Sequence, residues 1–221
     1  MSTNIKIDSL NATQVKEMFL YAGNQVIESK PLLTKLDSAI GDGDHGIGMA
    51  VGFEKAKENL EAKDFTLVND VFKTIGMSMI TSMGGASGVL FGTVFTGGVK
   101  DLDNSEELDL PLLATILEKS LAAVKARGKA SLGDKTMIDS LEPAVIALNR
   151  SVQSSHSLIE GIKNAEEQAL QGVENTKEYI AKFGRAKSLG ERAIGHQDAG
   201  ATTVSIIISS MREWIEGSNN Q

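Results

Sequence analysis

Three aspartates stand close together in a stretch rich in glycine. Asp42 and Asp44 are two residues apart within IGDGDHGIG, residues 40–48, and Asp37 lies five residues before Asp42. Carboxylates about 5 Å apart at an effective dielectric of ~20 repel one another by about 3 kcal/mol per pair. Ordering the four glycines of that stretch costs further conformational entropy. A folded loop of this composition needs a compensating ligand or abundant water. Magnesium takes hard oxygen ligands and usually shares its shell with substrate phosphates. Three aspartates could hold two such ions, and the ions in turn a diphosphate. Taken singly, Asp37 also reads as a surface residue at a helix end, and Asp42 and Asp44 as capping residues.

Other chemistries fit less well. Gly41, Gly43 and Gly46 spell G-x-G-x-x-G, but no strand precedes them, and two aspartates inside the loop would repel a pyrophosphate. A calcium hand starting at Asp42 would place Ile47 at the glycine position and Phe53 where the bidentate glutamate belongs. No G-x-x-x-x-G-K-[ST] occurs. His45 adjoins the carboxylates and could donate to a phosphate oxygen or serve the turn. His156 reads as a surface residue, and His196 as one that orients its own loop.

Three further stretches mix glycine with Asp, Ser, Thr or His beside a helix start: SMGGASGVLFG (82–92), KASLGDKTMID (129–139) and GHQDAGATT (195–203). Each alone is explained by helix caps. Four such stretches in one chain are more than ordinary connections need, and alternate loops of a bundle can meet at one end. Gly84–Gly88 reads as a phosphate or ribose cradle, or as close helix packing. Asp134 reads as an N-cap and Met137 as a site or core residue. Asp198, Gly200 and Thr202 open the last helix. Arg185 is a phosphate partner or a surface arginine.

The elements that must carry these loops are helical. In LPLLATILEKSLAAVKARG, Leu112, Leu113, Ile116, Leu117, Leu121 and Val124 recur at steps of three and four. Asn11 with Gln14, and Ser157 with Glu160, have capping-box spacing, and Pro31 suits a first turn. The pattern predicts helices near 11–29, 31–39, 46–63, 67–82, 88–99, 110–127, 134–150, 157–182 and 201–216. VSIIIS near residue 204 reads as buried helix despite its β-branching. The stretch 184–197 is unassigned, and KDLDNSEELD (100–109) reads as a solvated loop. With no Pro/Ser-rich linker, residues 1–221 are expected to form one all-α domain of about eight long antiparallel helices.

Composition narrows the function classes. The 221 residues are 41% apolar and 23% charged, as in a globular protein. A net charge of -7 argues against nucleic acid as partner, while metal ions can reverse the local field for a phosphorylated small ligand. Without cysteine there is no disulfide or thiolate metal site. The opening MSTNIKIDSL has no signal-peptide pattern, and no run of ~18 apolar residues predicts a membrane span. A cytoplasmic protein is expected.

Together GDGDHG, GGASGVLFG, GDKTMIDSL and GRAKSLGERAIGHQDAGATT resemble the nucleotide-binding L subunits of bacterial dihydroxyacetone kinases, over nearly the whole chain and in the family's order. The resemblance implies an eight-helix antiparallel barrel with the nucleotide site in loops at one end. It implies that Asp37, Asp42 and Asp44 ligate two magnesium ions bridging the phosphates of ADP or ATP. It assigns phosphate and ribose contacts to His45, Gly46, Ile47, Gly48, Ala86 and Ser87. Gly128 and Met137 line the adenine pocket, and Arg185 with Asp198, Ala199 and Gly200 closes the site. The family usually has proline where this chain has Ala199. The free-standing length resembles the phosphotransferase-system form. In that form a phosphocarrier subunit phosphorylates bound ADP, and the ATP phosphorylates dihydroxyacetone held on a separate sugar-binding subunit. Two alternatives are an ATP-dependent kinase subunit of the same fold for another ketose or acceptor, and a nucleotide-loaded regulator that binds a transcription factor.

Overall fold

The computed structural model describes residues 8–218. The expectation about a leader thus falls mostly on residues 1–7, outside the described residues. The chain runs β1 (Ser9–Asn11), α1 (Ala12–Glu28), α2 (Lys30–Ile40), α3 (His45–Glu61), α4 (Val68–Ser82) and α5 (Gly85–Val99). It continues with β2 (Glu107–Asp109), α6 (Leu110–Gly128), α7 (Ile138–Gln153), α8 (Leu158–Asn175) and α9 (Ala199–Ser218). Short 3-10 turns at Thr176–Glu178 and Arg185–Ala193 lie between α8 and α9.

The predicted all-α architecture is what forms. Successive helices from α3 to α9 pack as neighbours, and α1 packs against both α3 and α9. Among the described residues, eight long helices therefore close a ring, and the short α2 lies against α1, α3 and α9. Closure follows from the apolar stripes: every long helix contributes to one continuous core. Phe19 of α1 meets Phe72 of α4 and Phe95 of α5 edge-on, with centroids 5.1 and 5.6 Å apart, a favoured aromatic geometry. A cavity inside this ring of helices, walled by residues such as Phe91, Leu141 and Met211, holds about 40 Å³. Ligand pockets are about 300–1,000 Å³, so that cavity is too small for a nucleotide.

The two ends differ in how helix N-termini are satisfied. At one end, α1 and α8 start with complete capping boxes at Asn11/Gln14 and Ser157/Glu160, as their spacing predicts. There Asp109 caps α6, accepting from the Leu112 amide at 2.8 Å. Pro31 sits in the first turn of α2. At the other end α3 and α5 start without a side-chain cap, which leaves amide donors for another partner, whereas the first amides of α7 donate to Thr136 and Met137 and Asp198 caps α9.

Several sequence expectations need correction. Residues 107–109 are not loop: β2 pairs antiparallel with β1, Leu108 opposite Leu10, and both leucines are buried. Three-residue strands are too short to show alternation. Helix α8 stops at Asn175, not 182, because Thr176 turns the chain and its hydroxyl donates to the Val173 carbonyl at 2.6 Å. Helix α5 starts at Gly85, three residues before the predicted start. Asp134 does not cap α7, which begins at Ile138. It is buried, pairs with Lys182 at 2.7 Å and accepts from the Ser131 amide. Asp139, inside α7, holds the turn instead, accepting from the amides of Gly133 and Thr136 at 2.5 and 2.7 Å. Around residue 204 the chain is helical and buried, as predicted.

Candidate functional site

The end of the barrel where α3 and α5 start gathers the four glycine-rich stretches. Asp37 lies in the last turn of α2, Asp42 in the α2–α3 turn, and Asp44 at the α3 N-cap position. Each offers a carboxylate oxygen within 4.8 Å of the other two. The turn is tight. The Gly41 amide donates to the Asp37 carbonyl at 2.5 Å, and Gly43 takes a φ of 77° that side chains disfavour. Any Cβ at Gly46 would strike Thr34 and the Lys30 carbonyl of α2. Only glycine lets α3 begin that close to α2, and this approach sets Asp44 beside Asp37.

The carboxylates keep their electron pairs for something outside the helix. Asp44 makes no capping bond, so its reading as a cap does not hold. Burial, then Asp42 and Asp37, raise its carboxyl above the usual range, and Arg185 opposes them. Arg185 Nε pairs with Asp42 at 2.8 Å, one cation against three carboxylates. Asp37 accepts from the His45 amide at 3.1 Å. Three clustered carboxylates in partial contact with water suit a hard divalent cation such as magnesium.

His45 is buried, and its Nε2 lies 2.8 Å from Thr203 Oγ1 of α9. Its ring sits 5.8 Å from that of Phe91, so the side chain fastens α3 to α5 and α9. Burial depresses its pKa, against the pull of Asp37. His156 is exposed beside Asn164 at the opposite end of the barrel. His196 is exposed, and its carbonyl accepts from Lys135.

On the α5 side, Ile47 and Ala86 are exposed, and a Cβ on Gly48 would lie 3.7 Å from the Met83 methyl. The starts of α3 and α5 thus adjoin, each with free amides. Ser87 is half-buried. Gly128 ends α6, and a Cβ there would sit 3.2 Å from Leu90. Met137 is buried in the core, yet a Cβ on Gly200 would lie 3.5 Å from its own Cβ. The third and fourth stretches therefore touch at Met137 and Gly200. Asp198 caps α9, accepting from the Ala201 amide at 2.7 Å. Its carboxyl is pushed up to about 7, mainly by burial, with Asp139 and Asp37 adding to the rise.

Ala199 is buried and is the first residue of α9. Proline fits that position because its φ is preset and the first amide has no helical partner. Ala199→Pro is expected to stabilise the chain by about 0.4–1 kcal/mol, raising the melting temperature by about 1–4 °C. Calorimetry checks this, and a lower melting temperature would show that the alanine backbone is needed.

Sequence reasoning missed the residues behind this surface. Lys135 and Thr176 are buried polar residues that join the third stretch to the fourth, and Thr203 holds His45. The only available signal was the presence of Lys135 and Thr203 inside the singled-out stretches.

Residues 39–213 match the model of a family described as the DAK2 domain. An ADP-binding subunit of PEP-dependent dihydroxyacetone kinase from Listeria innocua is 43% identical over 189 residues, covering 86% of this chain and 89% of that one. The ADP-binding subunit of the PEP-dependent dihydroxyacetone kinase of Escherichia coli is 37% identical over 203 residues, covering 92% of this chain and 97% of its own. The dihydroxyacetone kinase of C. freundii, solved in complex with AMP-PNP and Mg2+, superposes with a TM-score of 0.69 at 25% identity. That match covers 96% of this chain and 36% of the larger one.

Proposed function

The chain belongs to the DAK2 domain family, and from that premise we propose that it is the ADP-binding subunit of a dihydroxyacetone kinase. Residues 1–221 act as a single nucleotide-binding domain. Bound ADP is phosphorylated by a phosphocarrier subunit of the phosphotransferase system. The resulting ATP phosphorylates dihydroxyacetone held on a separate sugar-binding subunit. The protein works in the cytoplasm; among the described residues no helix is long and apolar enough to cross a membrane.

The observation that carries this reading is the convergence of three carboxylates with two uncapped helix starts, those of α3 and α5. Asp37, Asp42 and Asp44 hold two magnesium ions. When bound, magnesium neutralises charge that builds on the transferred phosphoryl group. His45, Gly46, Ile47 and Gly48 at the start of α3, and Ala86 and Ser87 at the start of α5, contact phosphate and ribose. The Gly46 and Ile47 amides and those at the start of α5 lie at helix ends whose positive dipole favours anions, while the His45 and Gly48 amides donate to Asp37 and Asp44. Gly128 and Met137 line the adenine pocket. Arg185 and the Asp198–Ala199–Gly200 segment close over the nucleotide, and the Arg185 guanidinium can serve a phosphate as it serves Asp42.

Native mass spectrometry of the purified chain with ADP tests this. One ADP per chain is expected with magnesium and none once the metal is chelated. ADP binding that ignores magnesium, or no binding at all, contradicts the reading.

A further inference from the structure

We infer that Lys135 is a positioning residue that clamps the 194–200 loop and so sets how slowly nucleotide leaves; this rests on the nucleotide-binding function above. Lysine is almost never fully buried without a charged partner, yet Lys135 is only 2% exposed. Among the described residues it forms no ion pair with a carboxylate. Its ammonium instead donates to two backbone carbonyls, those of Thr176, at 2.5 Å, and His196. Its backbone also takes a φ of 60°, a region a side chain enters at a cost. A buried charge and an unfavourable backbone at one residue persist only when the surroundings fix both.

The surroundings do so. The Asp139 carboxylate accepts from the amides of Gly133 and Thr136 and shapes the turn that presents Lys135. The Thr176 hydroxyl accepts from the Asp198 amide at 2.9 Å. The Gly195 amide donates to the Lys177 carbonyl at 2.7 Å. Residues 195–198 are thus tied at three points, and Lys135 is the one that reaches them from the α6–α7 turn. That turn ends at Met137, against which Gly200 packs. One ammonium therefore couples the adenine side of the site to the segment that closes it. Hydrogen bonds from a charged donor are about twice as strong as neutral ones, so losing it should free the loop more than losing any other single tie.

The test loads the chain with magnesium and N-methylanthraniloyl-ADP, chases with excess ADP, and follows release by fluorescence. Lys135→Met is expected to release the analogue at least about tenfold faster. Amides 194–198 should exchange hydrogen faster, while α1 and α4 stay as protected as in the wild type. Lys135→Arg should recover part of the slow release. Wild-type release from folded Lys135→Met overturns the inference, and so does faster release matched by lost protection throughout α1 and α4. If Lys135→Met does not fold, Lys135→Gln is read by the same criteria. In the unaltered protein, exchange of residues 194–198 at free-peptide rates overturns the inference without any variant. A wild-type chain that never binds the analogue would instead defeat the functional reading, and the exchange comparison would still decide whether Lys135 holds the loop.

Discussion

Asp44→Asn and Asp42→Asn are each expected to abolish magnesium-dependent retention of ADP and to leave helix content unchanged. Removing a partner that merely orients a metal ligand typically costs 10–100-fold in affinity. On the proposed reading, in which the three aspartates are the direct ligands, loss of one should cost at least about 100-fold. The fold should tolerate the change because Asp44 occupies the α3 N-cap position without capping it. Its neighbours Asp42 and Asp37 repel it, so the amide relieves strain in the metal-free chain, and its melting temperature should hold or rise. Asp37→Asn differs, because that carboxylate also accepts from the His45 amide and helps set the start of α3. Equilibrium titration with ADP, with and without magnesium, measures the effect. Full retention in both variants would remove the aspartates from the site.

The isolated chain is expected to phosphorylate no dihydroxyacetone from ATP. Phosphoryl transfer needs the acceptor held about 3–3.5 Å from the transferred group, and such positioning corresponds to effective molarities of about 10⁵–10⁸ M. The cavity of about 40 Å³ inside the barrel is walled by apolar side chains. The carboxylates sit on an open rim, with Asp42 and Asp44 exposed. The cleft beside them, between Ser38–Asp42 and Arg185, Ser188 and Leu189, is the space the proposed reading gives to the nucleotide, and that reading places the ketone on a separate subunit. Activity should fall by about 10⁵-fold or more relative to the complete assembly. A coupled assay of the purified chain alone checks this. Robust turnover, with contaminating kinase excluded, would refute the division of labour between subunits.

How much was legible in the sequence depended on how local each interaction is. The two capping boxes each link residues three apart and were readable, whereas Asp109, which caps α6, was read as part of a solvated loop. The apolar periodicity of α6 and the buried helix at 204 were equally local. The grouping of Asp37, Asp42 and Asp44 was visible because one turn contains all three. Contacts across the barrel were not visible. Lys135 reaches carbonyls 41 and 61 residues away, and nothing near it in the chain distinguishes it from a solvated lysine. Asp134 looked like a cap because it stands just ahead of a helical pattern. Its true partner, Lys182, comes from the far side of α8. The inward turn of the His45 ring depends on Thr203, 158 residues later. Strands of three residues left no periodic trace, although Leu108 was available to mark the buried position.

The central claim is that adenine nucleotide serves this protein as a retained cofactor, cycling between ADP and ATP on the same rim. Magnesium held between phosphates and carboxylates acts at contact distance, well inside a Debye length of about 8 Å, where salt screens least. The Asp198–Gly200 segment, tied down behind the site, would further slow escape. The direct measurement loads the chain with labelled ADP and reconstitutes it with the sugar-binding and phosphocarrier subunits, a phosphoryl donor and dihydroxyacetone. Unlabelled ADP is then added in excess while turnovers are counted. Label that stays on the protein through many turnovers is the predicted result. Label lost once per turnover would make ATP an ordinary exchanging substrate and contradict the account.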